Sequence, residues 1–302
     1  MLLYNTGCTG NINAMKEFEI TPDMQREDLF ETVSGLDHLG NEISMPVITE
    51  KPLTLFLNGQ EVVTMMTIGD FPEHLAIGYL LNQNMLQLDD EITAIDVDME
   101  LDIVVVRTPR KTDFEEKLRK KTQTSGCAQG TVFGDVLEKF EDIVLDPDAK
   151  VQTSWIYALS RKINQQPSLY LKVGAVHGCV LCEEDIPLVY MEDVGRHNAI
   201  DKIAGYMWAQ KISPKNKIFY TTGRLTSEMV IKAVQMQIPV LISRSGFTAW
   251  GVELARQAGL TLIGRAKGKR FQCLSGQGRV IFDADPSRIM DEEKKHQRKA
   301  GQ

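Results

Sequence analysis

The chain has 302 residues, 43% hydrophobic and 25% charged, with a formal net charge of -7. That length can bury a large core, as one large domain or two smaller ones, and the composition is that of a globular protein. The acidic balance excludes a general nucleic-acid coat but leaves room for a local basic pocket, and the absence of an apolar run of about 18 residues excludes a helical membrane span.

The first residues lack a basic n-region and a long apolar stretch, so they do not read as a signal peptide. The five cysteines, Cys8, Cys127, Cys179, Cys182 and Cys273, are an odd number in a long chain. This fits a reducing cytoplasm, with thiols used for packing, metal or chemistry.

Residues 1–45 are polar and weakly periodic and read as a lead-in, partly disordered. Residues 46–121 read as a small β-rich domain of the α+β kind. Leu53–Leu57 and Gln60–Met66 are predicted strands around Asn58-Gly59, two residues that tolerate the positive φ of a tight hairpin. Phe71–Leu81 is a predicted helix with Pro72 in its first turn and Leu75, Tyr79 and Leu80 on one face. His74 on this helix is expected at the surface. Glu91–Asp98 and Leu101–Arg107 read as two more strands, and Phe114–Lys121 as a charged helix.

Residues 122–135 are small, polar and glycine-bearing, and read as a mobile loop. Cys127 sits within it. Structural cysteines are normally buried in apolar elements; this one follows the cations Lys117, Arg119, Lys120 and Lys121, which favour the thiolate. Cys127 is therefore the candidate reactive thiol.

Residues 136–285 read as an α/β domain and 286–302 as a charged tail. A short helix and strand are predicted over Leu137–Val144, a helix over Val151–Gln166, and a strand over Leu169–Val173. Strand-like sequence runs on to Cys182, Glu183–Asp185 turns, and Ile186–Met191 is a buried strand. The polar stretch Glu192–Lys202 then stands at a strand-to-helix turn, where α/β proteins place their sites. Strands at Lys217–Tyr220, Ile238–Ile242 and Leu260–Gly264 alternate with helices opening at Thr226 and at Thr248 or Ala249. This alternation predicts right-handed crossovers and a largely parallel sheet.

The loops after those strands gather at one edge. They carry Asp193, Arg196, His197, Gly223, Arg224, Ser243, Arg244 and Ser245, the arginines and hydroxyls of an anion or nucleotide pocket. Arg265–Arg270 adds cations suited to phosphate. A metal centre from His177, Cys179, Cys182 and His197 is the competing reading, because Cys-x-x-Cys is a zinc-ligand spacing. Against it, a spacing of three in a strand puts the two thiols on opposite faces, and no second Cys-x-x-Cys is present. No nucleophile-elbow or P-loop sequence appears. Cys127 paired with His177 or His197 stays open as a nucleophile and base.

The run Glu192-Asp-Val-Gly-Arg-His-Asn-Ala-Ile-Asp-Lys202 resembles the signature of the formate dehydrogenase accessory sulfurtransferases, the FdhD/NarQ family. The likeness covers about residues 46 to 282. It includes Asn58-Gly59, Leu75–Leu81, Gly174-Ala-Val-His177, Gly223–Lys232, Pro239–Ser243 and Leu262-Ile-Gly264.

The resemblance implies a C-terminal three-layer domain of the cytidine-deaminase type, without its zinc and with no permanent metal, and a cytoplasmic homodimer. It implies a sulfurtransferase whose loop cysteine takes persulfide sulfur from a cysteine desulfurase. The sulfur passes to a molybdenum or tungsten cofactor of the bis(molybdopterin guanine dinucleotide) type, needed for formate dehydrogenase activity. By position, Cys127 bears the sulfur, and Phe271, Gln272, Cys273, Leu274, Ser275 and Gly276 match the cofactor-binding segment. Asp193, Arg196, His197, Arg224 and His177 are expected in the same pocket, with Arg265 and Lys267 toward phosphates. The chain departs from the family pattern at Gln129, where a second loop cysteine is usual, at Gln83-Asn84 and at Phe247. A non-catalytic cofactor chaperone and a zinc-dependent deaminase or hydrolase remain as alternatives.

Overall fold

The computed structural model describes residues 18–109, 140 and 142–285. The predicted helix over Phe114–Lys121, the loop with Cys127 and residues 137–139 and 141 of the predicted helix and strand at Leu137–Val144 lie outside the described residues. Strands β1 (Phe30–Leu36) and β2 (Glu42–Ile48) form an antiparallel hairpin that begins in the stretch read as a lead-in and runs three residues past it. Its turn is built by Asp37, whose carboxylate accepts the backbone N–H groups of Leu39 and Asn41.

Next come β3 (Lys51–Leu57), β4 (Gln60–Thr67), β5 (Ala94–Asp98) and β6 (Ile103–Arg107), in the order β4-β3-β6-β5. The β3–β4 turn has Asn58 at φ 57° and Gly59 at φ 110°, the double positive φ that the Asn-Gly pair supplies. Leu53, Leu55 and Leu57 alternate into the core, where helix α1 (Pro72–Asn82) covers them with Leu75, Tyr79 and Leu80. The helix and its predicted face match. His74 departs from the expectation. It is half-buried, stacked on Phe71 and set edge-on to Tyr206, because α1 is flanked by a second helix.

The larger unit is a six-stranded sheet, β13-β12-β11-β10-β8-β9, beside a two-stranded pair of β7 (Val151–Gln152) with β14 (Val280–Ile281). The sheet's strands are β8 (His177–Glu183), β9 (Ile186–Asp193), β10 (Lys217–Thr221), β11 (Val240–Ser243), β12 (Thr261–Lys267) and β13 (Arg270–Ser275). Only β10–β11 and β11–β12 are parallel; the other pairings are antiparallel. The sheet is thus mixed, not largely parallel. Two-residue reversals at Glu184-Asp185 and Gly268-Lys269, with Glu184 and Gly268 at positive φ, leave no room for a crossover helix. The directions still place the ends of β9, β10, β11 and β12 at one edge, with the starts of β8 and β13 beside them.

Helix α2 (Thr153–Gln165) packs Ile156, Leu159 and Ile163 on one face of this sheet. Helices α4 (Arg196–Ala209), α5 (Ser227–Gln235) and α6 (Ala249–Gln257) pack on the other. Cys179 belongs to the second face and Cys182 to the first, as their spacing predicts.

Leu169–Val173, predicted as a strand, is a short helix, α3. Its apolar alternation fits either element over so few residues. Capping decides: Ser168 Oγ accepts the Leu171 N–H at 3.3 Å, and the Glu192 carboxylate accepts the Leu169 and Tyr170 N–H groups at 2.6 and 3.2 Å. Helices α1 and α4 cross backbone to backbone. A Cβ on Gly78 would stand 1.7 Å from the Asp201 carbonyl oxygen, and one on Gly205 2.0 Å from that of His74. No helix among the described residues is long and apolar enough to cross a membrane.

Candidate functional site

At the edge where β9 to β12 end lie two hollows of about 900 and 700 Å³, with Arg244 and Lys267 in the walls of both. The larger one is cationic, with Arg265, Lys269 and Arg270 on its wall. It is also aromatic: Phe271 lies 6.3 Å from Tyr157 and 6.4 Å from Phe282, centroid to centroid. The smaller is lined by His177, Thr222, Ser245, Asn164 and Tyr170. A chain of net charge -7 thus concentrates cations along one trough.

Local structure places these groups. A bulge in β12 between Gly264 and Lys267 holds Arg265 at φ 52°, and its N–H donates to the Ser245 carbonyl at 2.7 Å. Ser243 Oγ donates to the Gly223 carbonyl at 2.6 Å and accepts the Ser245 N–H at 2.9 Å, tying the loops after β10 and β11 together. Thr222 Oγ1 accepts the Gly178 N–H at 3.0 Å, tying that edge to β8. Burial, with Arg196, Arg224, Arg244 and His197 adding to it, pushes the His177 pKa below its ordinary value. This environment favours the uncharged imidazole at His177.

The polar run 192–202 does a different job. Lys202 is fully buried; its Nζ contacts Asp70, lies 2.5 Å from Asp193 and donates to the Glu192 carbonyl at 3.0 Å. Burial opposes its charge, but Asp193 and Asp70 outweigh that and hold its pKa above the ordinary lysine value. Asp193 also accepts from Thr67 Oγ1 at 2.6 Å and Asn198 Nδ2 at 3.0 Å, and Asn198 Nδ2 donates to the Met66 carbonyl at 2.6 Å. Asp201 accepts from Asn82 Nδ2 at 2.6 Å and pairs with Lys232 at 2.5 Å. Every one of these bonds to Met66, Thr67, Asp70 or Asn82 joins the N-terminal sheet and helix to the six-stranded unit.

The thiols separate by environment. Burial pushes the Cys179 pKa up to about 12 and raises that of Cys182 as well. Cys273 lines the larger hollow; burial raises its pKa too, and its Sγ donates to the Ser275 carbonyl at 3.1 Å. Cys127 and Cys8 lie outside the described residues. Among the described residues no group of three or more His, Cys, Asp and Glu side chains is placed to hold a metal ion.

The FdhD/NarQ family model matches residues 48–281. The chain belongs to the FdhD/NarQ family. A relative from Wolinella succinogenes, named sulfur carrier protein FdhD, is 30% identical over 242 residues, which is 79% of this chain and 83% of that protein. One of the same name from Bacillus subtilis is 28% identical over 235 residues, 78% of this chain and 90% of that one. A crystal structure assigned as a formate dehydrogenase accessory protein from Desulfotalea psychrophila superposes with a TM-score of 0.70 at 27% identity. That likeness covers 83% of this chain and 98% of the other.

In this FdhD/NarQ chain, the residues expected to share a pocket divide. Phe271, Gln272 and Cys273 line the larger hollow, and His177 the smaller. Leu274 packs against the core, Ser275 is buried, and Gly276 turns at φ 66°, where a Cβ would meet Thr261 Oγ1 at 2.4 Å. Arg224 is exposed, and its charge and that of Arg196 bear on His177; Arg196 packs its stem on Gly223.

Asp193 and His197 line neither hollow. Asp193 is fully buried in the Lys202 clasp, and His197 is buried 3.0 Å from Glu228, because both side chains point into the helix packing. Tyr157, Tyr170 and Phe282 were not singled out from sequence. Tyr157 lies off the apolar positions Ile156, Leu159 and Ile163 of its helix, and the strand reading of 169–173 hides Tyr170.

Proposed function

We propose that this FdhD/NarQ protein is a sulfur-carrying sulfurtransferase. It takes persulfide sulfur from a cysteine desulfurase onto Cys127 and delivers it to a molybdenum cofactor of the bis(molybdopterin guanine dinucleotide) type for formate dehydrogenase. The names of its relatives, sulfur carrier protein and formate dehydrogenase accessory protein, support the role. The observation that carries the reading is the trough, where cations for phosphates and aromatic rings for a planar base lie together. Its hollows are of the size that small-molecule and cofactor sites occupy. The helix–sheet–helix packing is in keeping with the cytidine-deaminase-like layering that the family resemblance implies.

The sulfur step needs a reachable thiolate. The Cys127 thiolate attacks the outer sulfur of the donor's persulfide. The donor's S–S bond breaks, its own thiolate leaves, and a new S–S bond stands on Cys127. Cys179 and Cys182, buried and held protonated, are poor substitutes.

A second reading, a cofactor chaperone without sulfur chemistry, is favoured by the single cysteine in Ser125–Gly130. Formate dehydrogenase activity in cells that depend on this chain separates the two. Cys127→Ala abolishes it if the protein carries sulfur. Activity retained by Cys127→Ala but lost on replacing Arg265 and Lys267 identifies a chaperone.

A further inference from the structure

We infer that the outer face of the N-terminal sheet is the surface on which the sulfur donor docks, and that the donor meets it with a basic, apolar patch. This rests on the sulfur-carrier reading, and it adds where the cysteine desulfurase binds.

Residues 52–106 hold ten of the chain's 41 acidic residues and none of its 34 lysines and arginines. The rest of the chain is therefore cationic on balance. The N-terminal sheet and helix carry the negative charge of the molecule, while the trough gathers cations.

Helix α1 covers one face of that sheet, and the strand register defines the other. Glu61, Phe56, Val105 and Asp96 stand in one row across β4-β3-β6-β5, and Thr64, Thr54, Ile103 and Asp98 in the next. Phe56, Ile103 and Val105 are only half-buried and join none of the core clusters among the described residues. At one end of the face the β5–β6 turn meets the end of β4: a Cβ on Gly69 would lie 3.7 Å from the side chains of both Met99 and Lys51. Met66, Met99 and Leu101 are 47%, 44% and 67% exposed. A solvated sheet face is ordinarily polar. An apolar centre between acidic edges is instead the pattern of an interface with a charged rim.

Two of the acids already have partners. Asp96 pairs with Arg107, and Asp98 accepts the Glu100 and Leu101 N–H groups that build the β5–β6 turn. Glu61 and Glu100 are exposed, and among the described residues no cation pairs with them. Their charge is left for a partner that is basic at these points.

Two observations point to the donor. The chain leaves this sheet after β6, and Cys127 follows Pro109 by 18 residues. The face also lies across the sheet from α1, and so away from α4 and the six-stranded unit on which α1 packs. A donor seated there serves Cys127 and leaves both hollows of the trough open for the cofactor.

Calorimetric titration of the full chain with the cysteine desulfurase, at about 50 mM salt, tests the face. Glu61→Lys with Glu100→Lys weakens binding about tenfold or more, and the difference shrinks as salt is raised to about 0.5 M. Leu101→Ser weakens it about fivefold, the scale of burying most of a leucine side chain. Asp148→Lys with Glu253→Lys makes the same change of net charge at exposed positions on the six-stranded unit, and binds as the unaltered chain does. The melting temperature of each variant is read alongside, so that a fold defect is not taken for a binding defect.

Unchanged desulfurase affinity in the folded Glu61→Lys, Glu100→Lys chain overturns the docking face, as does failure of the unaltered chain to bind. Equal weakening by the Asp148→Lys, Glu253→Lys pair overturns it too. Formate dehydrogenase binding, or self-association in sedimentation, that shows this sensitivity in place of the desulfurase overturns the choice of the donor. Sulfur on Cys127 is scored separately. A desulfurase that binds but leaves no sulfur there refutes the carrier reading with the docking face intact. Loading of the Glu61→Lys, Glu100→Lys chain at the unaltered rate, with desulfurase below saturation, overturns the face and leaves the carrier reading standing.

Discussion

Lys202 keeps a charge in a fully buried place because Asp70, Asp193 and the Glu192 carbonyl surround its ammonium. Removing one partner of such a buried network strands the others. Lys202→Met is expected to cost about 3–5 kcal/mol in chemical denaturation. Arg107→Ala, which breaks an exposed pair with Asp96, is expected to cost no more than about 1 kcal/mol.

The histidines set a pH dependence. Burial lowers the folded-state pKa of His74, His177 and His197 below 6.5, with Glu228 partly opposing it at His197. The unfolded chain then binds more protons below that value, so stability falls as pH drops from about 7 toward 5. His197→Gln flattens this slope by at most one proton, about 1.4 kcal/mol per pH unit, in denaturation at a series of pH values. The importance of 192–202 was legible from its dense polar chemistry. Its clasp role was not, because partners such as Thr67, Asp70 and Asn82 lie more than 100 residues away in sequence.

At the scale of elements, periodicity located most strands and helices, and contacts from outside the local sequence caused the failures. The β3–β4 hairpin followed from Asn58-Gly59, whereas α3 was lost because the Glu192 cap arrives from another strand. The turn at Glu183–Asp185 was legible, but the antiparallel setting of β8 against β10 and the tight reversal from β12 into β13 were not, since both depend on pairing between strands.

The crossing of α1 on α4 depends on two glycines. Gly78→Ala drives a Cβ into the Asp201 carbonyl and is expected to destabilise by about 1–3 kcal/mol or more. Gly35→Ala, with nothing within 4 Å, is expected to stay within about 0.5 kcal/mol. Equilibrium denaturation of both variants reads the difference. An equal cost at the two positions would remove the close crossing as the link between the units.

Across the whole molecule, the six-stranded sheet carries a cationic trough at one edge and, through Asp193 at the end of β9, a clasp to the N-terminal sheet and helix. The basic pocket was legible in the loop arginines and the run Arg265–Arg270, while the convergence of Tyr157, Tyr170 and Phe282 needed the folded packing of α2, α3 and the end of β14. Thiol accessibility follows the same division. Iodoacetamide in native conditions is expected to leave Cys179 and Cys182 unmodified until denaturant is added, since both are fully buried and protonated.

The carrier role itself meets its most direct test in the mass of one peptide. The full chain is incubated with a cysteine desulfurase and cysteine, digested without reductant, and the Cys127 peptide is weighed. The account predicts the gain of one sulfur atom on that peptide, absent from Cys127→Ala. Equal sulfur loading in the two proteins, or none in either, would contradict it.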